Sequence, residues 1–122
     1  MSGDPAHVLI VEDNDLVSGA LRVVFESAGY RVSTAASLAE ASALVAADPA
    51  ALVLLDLTLP DGDGLGLVAA ARQSGARAVV ALTGRDDDGT RQRCLDAGCA
   101  GVMLKPVPVR ELLRLAEAWL EM

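Results

Sequence analysis

The chain has 122 residues, a length suited to one domain, and 52% of them are hydrophobic. Its net charge of −7 and its pI near 4.5 argue against direct binding to nucleic acid or to an anionic membrane. No apolar run reaches the ~18 residues of a membrane span, and the first residues lack the regions of a signal peptide. We therefore expect one cytoplasmic domain over residues 1–122, either a whole protein or the excised or N-terminal part of a longer one.

Five short apolar runs alternate with five helical patterns along the chain. The runs predict strands over residues 7–11, 30–34, 51–55, 78–82 and 101–104. The helical spacing predicts helices over residues 16–25, 37–47, 65–73 and 108–120, and a fourth helix in chain order within residues 87–97. Strict alternation with short loops indicates an α/β fold, a doubly wound parallel sheet with right-handed crossovers.

Turn and capping residues mark the ends of these helices. Ser37 and Glu40 match a capping box that opens the second helix. Gly29 and Gly98 follow the first and fourth helices, where a glycine commonly ends a helix. Pro108 suits the first turn of the last helix, because a backbone N–H has no partner there.

Polar residues stand where four of the five predicted strands end. In chain order they are Glu12 and Asp13, Asp56, Thr83, and Lys105, which is the only lysine in the chain. The carboxyl ends of parallel strands lie on one edge of an open sheet, where ligands bind. Three carboxylates, one hydroxyl and one ammonium group should therefore meet in one pocket, which suits a divalent cation and a phosphoryl group.

Three neighbouring carboxylates favour a cation because they repel one another. Two unit charges ~4 Å apart interact by ~4 kcal/mol at an effective dielectric constant near 20. Asp13 and Asp56 can supply oxygen ligands for Mg²⁺, and Glu12 can act directly or through a water molecule. Asp56 is the best nucleophile, because it ends the central strand and leads into an open loop, so an aspartyl phosphate can form there.

A phosphoryl group on Asp56 would need partners for its oxygens. Lys105 can balance the charge of one oxygen, and Thr83 can donate a hydrogen bond to another. Gly84 leaves its backbone N–H accessible to the group. Each residue alone is weak evidence, since a loop Asp, Thr or Lys is usually solvated. Their joint occurrence after four strands is much stronger evidence for a functional site.

Two other motifs do not indicate a metal site. Asp61-Gly62-Asp63-Gly64 resembles the start of a calcium loop, but the later ligand positions are missing. Cys94 and Cys99 lack enough partners for zinc, because His7 is the only histidine, so we expect two reduced, buried or near-surface thiols.

In combination, the segments VLIVEDND, LVLLDLTLPDGDG, VVALTG and AGCAGVMLKP resemble the receiver domain of bacterial two-component response regulators, over residues 6–120. The resemblance implies a flavodoxin-like (βα)5 fold with strand order 2-1-3-4-5. It implies that Asp56 accepts a phosphoryl group from a histidine kinase or a histidine phosphotransfer protein. The implied Mg²⁺ ligands are Glu12, Asp13, Asp56 and the backbone carbonyl of Thr58. The implied phosphoryl contacts are Thr83 and Lys105.

The chain departs from this family at the fifth strand. The family switch couples the Thr83 position to an aromatic residue, and Val102 stands at that aromatic position here. Receivers of winged-helix regulators carry an acidic pair where this chain has Ala100 and Gly101, so we do not predict their charged dimer. An output domain or partner is still expected to use the face formed by the fourth helix, fifth strand and fifth helix, and homodimerisation is left open.

Two residues flank the expected phosphorylation site. Thr58 and Arg85 lie two positions past Asp56 and Thr83, and by resemblance these positions tune hydrolysis of the aspartyl phosphate. We hypothesise that Arg85 screens the pocket from attacking water. A solvated arginine with no such role is an equally good interpretation.

The leading prediction is a signalling switch whose only chemistry is its own phosphorylation and dephosphorylation, without other enzymatic activity. A second reading is a phosphorylation-independent binding module that kept the fold, for which Val102 is the argument. A phosphatase or hydrolase of the same fold class is disfavoured, because no His or Glu is placed as a general acid near Asp56.

Overall fold

The computed structural model describes residues 5–85 and 87–121, in which strands and helices alternate strictly. The strands are β1 His7–Val11, β2 Arg31–Ala35, β3 Leu52–Asp56, β4 Ala78–Thr83 and β5 Gly101–Leu104. The helices are α1 Asp15–Ser27, α2 Leu38–Ala47, α3 Gly66–Gln73, α4 Asp88–Ala97 and α5 Val109–Leu120. Among the described residues, no helix is both long and apolar enough to cross a membrane.

The five strands form one parallel sheet in the order β2-β1-β3-β4-β5, which confirms the predicted topology. Strands β1, β3 and β4 are buried along their whole length, as expected for strands covered on both faces. Strand β3 extends to Asp56 and β4 to Thr83, so both residues belong to the sheet itself. The sheet thus holds the backbone of both site residues rigidly.

Alternate strand residues face two separate cores. One core joins the sheet to α2, α3 and α4, and it includes Val11, Leu55, Val68 and Cys94. The other joins the sheet to α1 and α5, and it is centred on the fully buried Phe25. Because both faces are sealed by apolar packing, the polar residues of β1, β3 and β4 lie only at the ends of these strands.

Helix α1 and strand β2 begin and end differently from the prediction. Helix α1 starts at Asp15 because the Asn14 side chain accepts hydrogen bonds from the backbone N–H groups of Leu16 and Val17. Gly29, with φ +98°, ends the helix as predicted. Tyr30 donates its N–H to the carbonyl of Phe25, so it closes α1, and β2 is shifted one residue later than predicted.

The ends of the later helices mostly match the prediction. The Ser37 hydroxyl caps α2 by accepting the N–H of Glu40, and Gly98 ends α4 with φ +106°. The placement of Pro108 in the first turn of α5 is wrong, because Pro108 has extended backbone angles and is the capping residue before Val109. Cys94 and Cys99 are buried free thiols, as predicted.

Strand β5 is the least buried strand in the described part of the chain. Val102 is half-buried and packs against the core under α4. Gly101 faces the opposite side, where a Cβ atom would lie 3.4 Å from the Trp119 ring of α5. The aromatic side chain at this end of the sheet therefore comes from α5 rather than from β5.

Candidate functional site

The parallel ladder positions the backbone of the acidic and basic residues beyond the strand ends. The N–H of Glu12 donates to the carbonyl of Ala35 at 2.9 Å, one residue past β1. The N–H of Lys105 donates to the carbonyl of Thr83 at 2.7 Å, one residue past β5. Each side chain is thus fixed where it leaves the sheet, and both point toward the end of β3.

Asp56 uses one of its two carboxylate oxygens for local contacts. Its Oδ1 accepts the N–H of Thr58 at 3.0 Å and the Thr58 hydroxyl at 2.9 Å. The Lys105 Nζ lies 3.1 Å from the same oxygen. The other oxygen, Oδ2, is buried without a hydrogen-bond donor among residues 5–85 and 87–121. The carboxylate is therefore oriented by one oxygen and leaves the second oxygen unused.

In Glu12, too, one carboxylate oxygen has a hydrogen-bond partner and the other has none. Its Oε1 accepts a hydrogen bond from the Lys105 Nζ at 3.0 Å, while Oε2 is buried without a donor in the described structure. Glu12 and Asp56 are only 2% and 1% exposed, so water cannot easily satisfy these oxygens. Two buried carboxylate oxygens without a donor in one pocket favour a bound cation, or a shared proton when no cation is present.

The donor set fits a hard divalent cation. One carboxylate oxygen from each of Glu12, Asp13 and Asp56 can be chosen so that all three lie within 4.8 Å of one another. Asp13 is exposed, so its side of the cluster faces solvent, whereas Glu12 and Asp56 are buried. Mg²⁺ takes oxygen ligands, usually one or two carboxylates directly together with several waters, so these three carboxylates offer more than enough ligands.

The close contact between these groups moves their pKa values in different directions. Burial and the neighbouring Asp56 carboxylate raise the pKa of Glu12 to about 7, although Lys105 opposes the rise. Burial alone would raise the pKa of Asp56, but the interaction with the neighbouring Glu12 carboxyl and the contacts with Thr58 and Lys105 outweigh it and lower the pKa. Burial likewise opposes the charge on Lys105, yet the two carboxylates raise its pKa. Asp56 and Lys105 are therefore ionised at neutral pH.

Thr83 lies beside this cluster, in a cleft between the loop after β3 and helix α4. We call it the polar cleft, of about 290 Å³; its lining includes Thr58, Asp63, Thr83, Arg85, Thr90 and Arg93. The Thr83 Oγ1 accepts the N–H of Arg85 at 3.0 Å, so the hydroxyl hydrogen is left to donate. Gly84 has open space where a Cβ would lie, consistent with access to its backbone.

The structure brings the predicted site residues together at one edge of the sheet. Glu12, Asp13, Asp56 and Lys105 form the charged cluster, and Thr58 contacts Asp56 directly. Thr83 and Arg85 line the adjoining polar cleft. Which of these residues bind Mg²⁺ or a phosphoryl group stays a prediction.

Sequence reasoning missed two acidic residues of the loop between β3 and α3. The carboxylate of Asp61 accepts the backbone N–H groups of Leu38 and Ala39 at the start of α2. Asp63 accepts the backbone N–H of Leu65, the residue just before α3, at 3.0 Å, and pairs with Arg93 of α4, with 2.6 Å between Nη2 and Oδ2. The two carboxylates thus attach the loop to α2 and α4, and only the capping preference of Asp hints at the contact with α2 in the sequence.

A mainly apolar groove lies on the other side of Lys105. We call it the apolar groove, of about 650 Å³; its lining includes Leu16, Val17, Ala20, Lys105, Pro106 and Val109. Leu16 is 85% exposed, which is unusual for a leucine at the first turn of a helix. The groove therefore joins the charged cluster to an exposed apolar surface between α1 and α5.

Comparison with known proteins identifies the class of protein that this fold and site define. Residues 8–117 match the family described as response regulator receiver domain. The chain belongs to this family, and it is a receiver domain of two-component signal transduction.

Particular relatives agree with this class. The chain is 37% identical to the TorCAD operon transcriptional regulatory protein TorR of Escherichia coli O157:H7 over 109 residues, which are 89% of this chain and 47% of TorR. The chain spans about half the length of the curated relatives it matches.

Solved structures share the whole fold. A CheY-like response regulator receiver domain protein from Methanospirillum hungatei JF-1 superposes with a TM-score of 0.89 at 28% identity, covering 97% of this chain and 95% of that one. A response regulator protein from Burkholderia pseudomallei, solved with a phosphorylated aspartic acid, a calcium ion and citrate, has a TM-score of 0.82 at 28% identity. That match covers 88% of this chain and 64% of the other.

Proposed function

We propose that Asp56 accepts a phosphoryl group from a histidine kinase or a histidine phosphotransfer protein, and that this chain switches conformation in response. The observation that carries the proposal is that the two oxygens of the Asp56 carboxylate have different surroundings. Thr58 and Lys105 hold Oδ1, while the buried Oδ2 has no donor within the described residues. An ionised, oriented carboxylate with one unused oxygen is what an attack on phosphorus requires.

The transfer follows from the charges around this carboxylate. A carboxylate oxygen of Asp56 attacks phosphorus, and the bond from phosphorus to the donor's nitrogen breaks, with its electron pair leaving on the donor. Lys105 balances the negative charge of the transferred group, and the Thr83 hydroxyl and the Gly84 N–H donate hydrogen bonds to it. Positioning and electrostatics supply most of the catalysis in phosphoryl transfer, so these few groups suffice.

We propose Mg²⁺ as the cofactor of this transfer. Glu12, Asp13, Asp56 and the backbone carbonyl of Thr58 would hold it, and when bound it neutralises charge on the phosphoryl oxygens. The orphaned oxygens of Glu12 and Asp56 support this assignment. The similar Burkholderia pseudomallei regulator, with its phosphorylated aspartic acid and calcium ion, supports the same chemistry here.

We propose that the apolar groove receives the phosphodonor protein. The groove borders Lys105, so a partner helix lying against Leu16 and Val109 would bring its phosphohistidine to the edge of the charged cluster. A Leu16→Ala variant should slow transfer from a protein donor at least severalfold. Transfer from acetyl phosphate should be unchanged, because a small donor does not use the groove.

The output is proposed to leave through the face formed by α4, β5 and α5. Cys94 is the one fully buried side chain that α4 contributes among its described residues, so this helix is weakly held. Leu95, Leu104 and Leu115 place exposed apolar area on the three elements of this face. Because Val102 replaces the family's aromatic residue, the change would run through the loop after Thr83. An output domain, another partner or a second copy could occupy the face.

The remaining proposals concern the whole protein. Residues 1–122 act as one receiver domain, and any output domain would belong to a longer chain. The domain itself does not bind nucleic acid or a membrane, in keeping with its charge of −7. It works in the cytoplasm, and its catalysis is limited to its own phosphorylation and dephosphorylation.

Intact mass tests the central proposal. The protein is incubated with Mg²⁺ and acetyl phosphate, and with phosphoramidate as a nitrogen-linked donor, beside Asp56→Asn and the surface control Asp96→Asn. We expect one added phosphoryl group in the wild type and in Asp96→Asn, dependent on Mg²⁺, and none in Asp56→Asn. If calorimetry shows that the protein binds Mg²⁺ but neither donor adds mass, the result would favour a phosphorylation-independent binding module. The absence of an aromatic residue at Val102 is the observation that favours this second function.

A further inference from the structure

The loop between β3 and α3 is attached at a point well away from Asp56. Residues 59–62 form a tight turn closed by an isolated antiparallel bridge between Leu59 and Gly62. Leu59 is buried in the core, and Gly62 has φ +140°, a conformation that side chains other than glycine rarely adopt. Asp61 stands at the tip of this turn, three residues after Thr58.

Asp61 holds the first N–H groups of helix α2. Its Oδ1 accepts the N–H of Leu38 at 2.9 Å, and its Oδ2 accepts the N–H of Ala39 at 3.1 Å. These N–H groups have no partner within their own helix. Ser37 accepts only the N–H of Glu40, so α2 is capped by one local residue and by one residue from a distant loop. The backbone N–H groups also lower the pKa of Asp61, so the carboxylate stays ionised.

Packing supports the same attachment. A Cβ atom at Gly62 would lie 3.4 Å from Cδ1 of Leu38, so the turn lies directly against the first residue of α2. Two hydrogen bonds and this close approach therefore fix the turn relative to the helix. At its other end, the loop is fixed by the two hydrogen bonds from Thr58 to Asp56.

We propose that Asp61 is a positioning residue for the cation site: its contact with α2 fixes the loop that carries the Thr58 backbone carbonyl, and thereby raises the affinity for Mg²⁺. The inference rests on the proposed function, in which that carbonyl is a ligand. Without Asp61 the turn loses both hydrogen bonds to α2 and is held there by packing alone, so cation binding must order the loop more than in the wild type. The ordering reduces affinity, while the chemistry at saturating Mg²⁺ is unaffected.

Calorimetric titration of Mg²⁺ into Asp61→Ala tests the proposal against two matched controls. Ser37→Ala removes the other cap of the same helix without touching the loop. Glu40→Gln removes a negative charge from the same helix turn and leaves Asp61 in place. We expect roughly a tenfold weaker Mg²⁺ affinity in Asp61→Ala, the size of effect typical of residues that orient metal ligands. Both controls should bind Mg²⁺ like the wild type.

Two further readouts separate positioning from a general loss of stability. Amide hydrogen exchange of residues 57–62 in the metal-free protein should accelerate in Asp61→Ala and stay unchanged in Ser37→Ala. The phosphorylation rate at saturating Mg²⁺ should match the wild type. If Asp61→Ala does not fold, Asp61→Asn replaces it, since the amide oxygen keeps one of the two hydrogen bonds and should give a smaller loss of affinity.

Several outcomes would overturn the proposal. Wild-type affinity in Asp61→Ala, or in Asp61→Asn where that variant replaces it, would show that Thr58 does not depend on this contact. An equal loss of Mg²⁺ affinity in Ser37→Ala would show that Asp61 acts only by capping α2. An equal loss of affinity in Glu40→Gln would show that Asp61 acts only through its negative charge. Failure of the wild type to bind Mg²⁺ would instead refute the proposed function, and with it the premise of this inference.

Discussion

Replacing Glu12 by glutamine should change how the stability of the metal-free protein depends on pH. Burial and the neighbouring Asp56 carboxylate raise the pKa of Glu12 from 4.5 to about 7 in the folded state. Because the folded pKa lies above the unfolded one, the folded protein holds this proton more tightly. The resulting stability is complete below the unfolded pKa and is lost as the pH rises through the folded pKa.

The size of this effect follows from the shift in pKa. One pKa unit corresponds to about 1.4 kcal/mol, so the full loss for this shift is roughly 3.5 kcal/mol. Roughly 2.5 kcal/mol of that loss falls between about pH 5 and pH 8. For a domain of this size, about 1 kcal/mol shifts the melting temperature by roughly 4 °C. The melting temperature of the metal-free protein should therefore fall by roughly 10 °C across this range because of Glu12 alone.

The assay compares thermal unfolding of the wild type and Glu12→Gln across this pH range, with EDTA and with Mg²⁺. Glutamine resembles the protonated acid, so the difference between the two proteins isolates the titration of Glu12 from that of other groups. In EDTA the wild type should lose stability relative to Glu12→Gln as the pH rises. Mg²⁺ should restore the wild type, because it binds the ionised form. Parallel pH profiles for the two proteins would refute this account of the buried acid.

Three further predictions concern packing and the loop. Phe25→Ala should lower the free energy of unfolding by about 3 to 5 kcal/mol in urea, because the ring is fully buried; a loss below about 1 kcal/mol would mean that the core collapses around the gap. Gly64→Ala places a Cβ 3.1 Å from the carbonyl oxygen of Asp56. It should therefore slow phosphorylation and lower the free energy of unfolding by about 1 kcal/mol or more. Wild-type values for both quantities would show that the loop shifts freely to accommodate the methyl group. Arg93→Ala should cost under about 1 kcal/mol, because Arg93 and Asp63 are both exposed, and a larger loss in a double-mutant cycle would contradict a simple surface pair.

The position of the charged cluster could be predicted because it depends on topology alone. Once the apolar runs are interpreted as parallel strands, Glu12, Asp56 and Lys105 must lie at one edge of the sheet. The buried β3 and β4 are continuous apolar runs, which makes their ends easy to find. Strand β2 contains fewer apolar residues, so its ends are harder to find. Its predicted start was one residue too early because Tyr30 closes α1.

The support around that cluster could not be predicted in the same way. Asp61 caps a helix whose first residue precedes it by 23 positions, and no local pattern encodes such a contact. The ion pair between Asp63 and Arg93 joins residues 30 apart and is equally hidden. Sequence patterns therefore identify the reacting groups, whereas the contacts that hold them in place follow only from tertiary structure.

The packing of Trp119 over Gly101 gives this receiver a natural optical probe. Trp119 is the only tryptophan in the chain, and its ring lies against β5 on the side opposite Val102. Its fluorescence therefore reports on the junction of β5 and α5 without any added label. A change in emission on phosphorylation would show that the signal crosses the fifth strand to its far face, even in a receiver that lacks the usual aromatic residue on that strand.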